Sequence, residues 1–107
     1  MMSCALQSYD CKAVAETATF SYDFALKLPA GVTITAVVCS VIIFMAYGSA
    51  GDTSGMLGGT ATLNGTIASQ LVSGGVDGVT YVLQFTATCS DGEIILGQAL
   101  MPVATFV

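Results

Sequence analysis

Residues 73–92, SGGVDGVTYVLQFTATCSDG, restrict the possible folds of this chain more than any other stretch. A glycine turn comes first, then an alternating run, then a second tight turn at Ser90-Asp91-Gly92. Tyr81, Leu83, Phe85, Ala87 and Cys89 share one parity, and Thr80, Gln84, Thr86 and Thr88 the other. That period of two belongs to a strand with one buried face. An acid and a glycine, Asp77-Gly78, stand just ahead of the tyrosine that opens the strand. Asp77 is expected to cap the backbone of this corner, Tyr81 to anchor it and Leu83 to pack inward.

The same kind of pattern extends along the chain. In residues 13–24, Phe20, Tyr22 and Phe24 lie on one face of a strand and Thr19, Ser21 and Asp23 on the other. Residues 25–31 turn at Pro29 and Gly31. Residues 32–47 read as one long bent strand or two in succession, and the near-continuous apolar run predicts burial on both faces. Five glycines among residues 48–59 predict a mobile surface loop. Asn64-Gly65 is a strong hairpin signal and predicts pairing of residues 60–63 with 66–69. Residues 93–102 supply the last strand.

About seven strands joined by short turns, with no helical period, define an all-β fold. The order of Asp77, Tyr81 and Leu83 matches the tyrosine corner of an Ig-like sandwich, in which a Tyr begins strand F. Antibody domains carry a Cys two residues after that Tyr, where this chain has Leu83. The expected architecture is an Ig-like two-sheet antiparallel sandwich over residues 12–107, preceded by an irregular arm, residues 1–11. The 107 residues suit one such domain.

Only two Lys and seven Asp or Glu are present, with no Arg, His or Trp, while 54% of residues are apolar. Soluble domains carry about a quarter charged residues. So little charge leaves sheet edges and faces unprotected in a lone monomer, and the expectation is that neighbouring chains cover much of the surface. A net charge of −5 with only Lys12 and Lys27 offers no basic patch, so nucleic acid is not expected as a partner. Residues 1–7 lack the charge and apolar core of a secretory signal, which suggests folding in a cytosol with reduced thiols.

Residues 28–51 contain no charge and raise the possibility of a membrane span. The dense apolar part is short, is flanked by Pro and Gly, and is dominated by β-branched residues, which favours strands. No membrane partner is expected. The absence of His rules out His-based triads and ligands, and Cys4, Cys11, Cys39 and Cys89 show no C-x₂-C spacing. Cys39 and Cys89 read as small buried thiols. Four of the carboxylates, Asp52, Asp77, Asp91 and Glu93, adjoin glycine, as turn residues do. No catalytic residue, cofactor or metal is expected, and the chain does not read as an enzyme.

Two segments resemble the small Ig-like virion proteins of tailed phages known as fibre–tail adaptors of short-tailed phages. Lys12, Ala13-Val14, Phe20-Ser21-Tyr22-Asp23-Phe24 and Gly31-Val32-Thr33-Ile34 stand in the order typical of that family. Leu71-Val72-Ser73-Gly74-Gly75, Gly78, Tyr81, Leu83, Thr86, Thr88, Ser90 and Gly92 follow its second half. The last strand departs from the family pattern, being apolar where members usually carry charge. The resemblance implies a structural virion protein, present in several copies, that joins a tail or head–tail ring to fibres or neighbouring shell components. Its partners would be other virion proteins. The alternatives are a decoration protein of the phage head and an Ig-like binding module of an adhesin. Expected contact regions are the arm, the glycine loop at Met56 and Leu57, and the tail from Met101 to Phe106 and Val107.

Overall fold

The alternation of Phe20 and Tyr22 with Thr and Ser produces strand β3 (Thr17–Asp23), whose aromatic side chains face inward. Phe24 follows at the strand's end and is also fully enclosed. A short 3₁₀ turn (Ala25–Lys27) then redirects the chain into β4 (Ile34–Met45). The remaining long strands are β5 (Leu57–Asn64), β6 (Ile67–Ser73), β7 (Thr80–Cys89) and β8 (Ile94–Ala104). Two short segments, β1 (Gln7–Ser8) and β2 (Lys12–Ala13), precede them. This computed structural model describes residues 7–46 and 53–105.

The strands form two layers. One sheet has the order β1-β8-β7-β4, with β2 also on β8, and the other has the order β3-β6-β5. β1 and β2 pair with successive parts of β8, both in parallel, and act as one interrupted edge strand. Counted so, the sandwich has four strands against three. Labelling β3 to β8 as B to G gives a BED sheet facing a CFG sheet, the division found in Ig-type domains. Here the A strand lies along G.

Between the layers sit Phe20, Tyr22, Phe24, Val72, Tyr81, Leu83, Phe85 and Met101. The Tyr22 ring lies 4.8 Å from Phe24 and 6.4 Å from Phe85. Gly97 lies beneath it, where a Cβ would stand 2.5 Å from the ring. Aromatic packing therefore occupies the place where antibodies have a disulfide. Cys39 and Cys89 are buried free thiols, both on the four-stranded sheet.

Four local features differ from the sequence expectations. The transmembrane alternative gives way to β4, a strand, and no helix among the described residues is long and apolar enough to cross a membrane. β4 is not buried on both faces. It ends its sheet, and Val38 is 66% exposed. The glycine-rich stretch is not all loop, because Met56 is buried and residues 57–59 already belong to β5; residues 48–52 lie outside the described residues. The hairpin is one residue later than expected, pairing Asn64 with Ile67, so that Gly65 and Thr66 form the turn. Gly65 has φ +64°, and no residue other than glycine has positive φ among the described residues. This sign pattern fits a II′ turn, with glycine in the first central position. The Thr66 hydroxyl then donates to Asp23 Oδ1 at 2.7 Å, and the Phe24 amide donates to the Thr66 carbonyl at 2.8 Å.

β5 also breaks register between Gly58 and Thr62, so three of its residues face Gln70 alone. The buried Gln70 amide fills the gap by donating to the Gly59 carbonyl at 3.2 Å and the Leu71 carbonyl at 3.0 Å. A buried polar group is tolerable only when paired in this way.

Candidate protein-contact surface

The corner before β7 fixes how the two layers meet. The Val76 amide donates to the Tyr81 hydroxyl at 2.9 Å, which is the back-bond of a tyrosine corner. Tyr81 and Leu83 are fully enclosed. Asp77 serves a different backbone from the one expected. Its Oδ1 accepts the Thr105 amide at 2.8 Å, fastening the end of β8. Beside this corner the buried Lys12 ammonium donates to the carbonyls of Ala13 and Gly74, each at 2.7 Å. Those bonds tie the β2 edge to the turn leaving β6. Loss of water holds the ammonium below its ordinary pKa.

With the inner parity committed to the core, register assigns the outer face of β4, β7 and β8. Its rows are Ala36-Thr88-Ile94, Val38-Thr86-Leu96, Ser40-Gln84-Gln98, Ile42-Val82-Leu100 and Met45-Thr80-Pro102. No residue of these three strands carries a charge. Val38, Ile42, Phe44, Met45, Ile94 and Leu96 are exposed apolar residues of β4 and β8. In the middle row the Gln98 amide donates to Gln84 Oε1 at 2.7 Å. The opposite sheet has a more polar outer face, in which Thr17, Thr19, Ser21, Asp23, Ser69 and Ser73 accompany the exposed Ile67 and Leu71, with the Ser21 and Ser69 hydroxyls bonded at 2.8 Å.

Among the described residues the charged groups lie on the turns, on β2 and on the opposite sheet, and the Lys27 ammonium reaches the apolar face at its edge, donating to the Leu96 carbonyl at 2.7 Å. Asp23 is held below the usual carboxylate range by hydrogen bonds from Thr66 and the Ala25 amide. Asp91 and Glu93, in the turn between β7 and β8, share a hydrogen bond that raises Glu93. Among the described residues no three His, Cys, Asp or Glu side chains come close enough to hold a metal ion.

The residues singled out from sequence as contacts fall in several environments. Met56 and Met101 point into the core and Leu57 is half-buried, while Phe106 and Val107 lie outside the described residues. The tip of the arm, residues 1–6, lies outside them too, but its later part is built into the sheet through β1, and Tyr9 stacks on Phe20 at 4.9 Å. Sequence reasoning missed Val38, Ile42, Ile94 and Leu96. For Val38 and Ile42 the signal lies in the apolar residues on both parities of residues 34–45, a pattern that an exposed edge strand shares with a strand buried on both faces.

A β-sandwich with one hydroxyl-rich outer face and one outer face made of charge-free, largely apolar strands belongs to the class of structural modules that work by contact with other proteins. Comparison with known families specifies the class. The family model of the podophage GP4 fiber-tail adaptor protein gp77 matches residues 12–101, and the chain belongs to that family. The chain is thus a structural adaptor of the phage tail, which favours the tail over a head decoration or adhesin role. No curated protein matches, and no solved structure does.

Proposed function

We propose that this chain joins a tail or head–tail ring to fibres by burying uncharged β surface against neighbouring chains of the virion, with no bond made or broken. The outer face of β4, β7 and β8 carries this reading. Its five rows are free of charge and carry exposed aliphatic side chains, so covering them releases water from apolar surface without stripping any ion of its hydration. Lysines, which would protect such a face in a solitary protein, are confined to Lys12 and Lys27. The N-terminal arm and the segment after Met101 remain further proposed contacts, with Leu57, Phe106 and Val107 the residues concerned. Several copies per particle are proposed, and neither nucleic acid nor membrane is a partner.

Cryo-EM of purified particles tests this reading. Density for the chain is expected on the tail, between the ring and the fibres, and particles assembled without it should lack fibres. Particles that contain no copy of the chain, or place it on icosahedral positions of the head, would overturn the proposal.

A further inference from the structure

The occupant of the apolar face can be argued from its pattern. The five rows are close to palindromic about the middle one. On either side of Ser40-Gln84-Gln98 lies a row with an aliphatic residue from β4 and one from β8, Val38 with Leu96 on one side and Ile42 with Leu100 on the other. A two-fold axis along the middle row would set Leu96 of one copy on Leu100 of the next, and Val38 on Ile42. No side chain of the five rows is charged, so no like pair meets within them.

The glutamines fit the same axis. Gln98 uses its amide to donate to Gln84 Oε1, and among the described residues no other bond involves either side chain. The axis sets Gln84 over Gln84 of the next copy and Gln98 over Gln98, and each amide keeps at least one free N–H and one free oxygen lone pair for its counterpart. Each amide can therefore donate to and accept from its own counterpart, so the middle row is complementary to itself about the axis that matches the apolar rows.

The available area is also adequate. Three strands about 4.8 Å apart and ten residues long give a flat footprint of roughly 480 Å². Two such faces hide about 1,000 Å² before side-chain relief is counted, the minimum a biological interface needs.

We propose that the outer face of β4, β7 and β8 pairs two copies of this chain, face to face, about a two-fold axis through Gln84 and Gln98. The inference rests on reading this face as a contact surface and names its occupant. In this arrangement the other surfaces of each copy remain free for ring and fibre.

Sedimentation of the full chain over a range of concentrations tests the pairing. The wild type should be a dimer. Leu96→Glu should weaken dimerisation by about 100-fold or more, because it sets a carboxylate against an apolar row. Leu100→Lys should do the same, while an equimolar mixture of the two variants should recover the dimer. Leu71→Glu, an equivalent change on the opposite sheet, should stay dimeric, and circular dichroism should show that every variant keeps its β spectrum. A monomeric wild type overturns the pairing, as does a Leu96→Glu variant that remains a dimer, the result expected of pairing through the free edge of β4. If the wild type is monomeric but Leu96→Glu alone fails to enter particles, a different virion protein occupies the face and only the pairing is lost. A dimer that never appears in particles overturns the adaptor reading and leaves the pairing intact.

Discussion

An alanine at position 97 would place its Cβ 2.5 Å from the Tyr22 ring, closer than carbon atoms can pack. The ring is already held between Phe24 and Phe85 and cannot yield. Gly97→Ala should therefore cost about 1–3 kcal/mol, measured by denaturant unfolding. Two other residues make stability depend on pH. Burial raises the Cys39 thiol from its usual 9.0 to about 11. Burial, helped by Cys39 and Tyr22, raises the Tyr9 hydroxyl from 10.0 to about 12. Both are acids kept neutral by the fold, so over these ranges the folded state retains protons that the unfolded chain releases. Their contribution is complete below about pH 9 and is lost as pH climbs to about 12. Alkaline unfolding curves should show this decline. Cys39→Ala should flatten its lower part and Tyr9→Phe its upper part, the latter also losing the bond from the Tyr9 hydroxyl to the Ser21 carbonyl.

The β5–β6 hairpin illustrates how local chemistry sets register. Gly65 has φ +64° with open space around its Cα, so Gly65→Ala strains the backbone without a clash. A loss of about 1–2 kcal/mol in thermal or chemical unfolding is expected. That a hairpin forms here was legible from Asn64-Gly65, but the exact pairing was not. It depends on Thr66 reaching Asp23, a contact 43 positions away in the chain. Strand β7 and its corner were legible because alternation and a tyrosine at the strand start are local signals. The break in β5 was not, since it relies on the buried Gln70 amide. For β4, type and length were readable, whereas its exposure was not. A run apolar on both parities looks the same whether a second sheet or another molecule covers it, and only the strand order puts β4 at an edge. The contact face was hidden for the same reason: its fifteen residues come from three strands and become neighbours only through their pairing.

For the molecule as a whole, the lack of a covalent staple among the described cysteines can be checked directly. Cys39 lies opposite Phe85, four residues along β7 from Cys89. At about 3.3 Å per residue this separates them by roughly 13 Å, beyond the reach of a disulfide, which needs Cα atoms within about 7 Å. Reductant should therefore leave the melting temperature unchanged, and the unfolded chain should yield both thiols to alkylation. Stability comes instead from the aromatic core and from the ladders around it, the most distant of which joins Gln7 to Ala99. On the ribosome, β1 emerges before every other described strand and must wait for β8, which emerges last. Until then its polar backbone has no ladder to enter, and the apolar β4 spends much of synthesis with neither β7 nor any copy to shield it. The nascent chain thus passes through its most adhesive stage before its own layers close, and how quickly β8 arrives should govern how much of the product escapes aggregation.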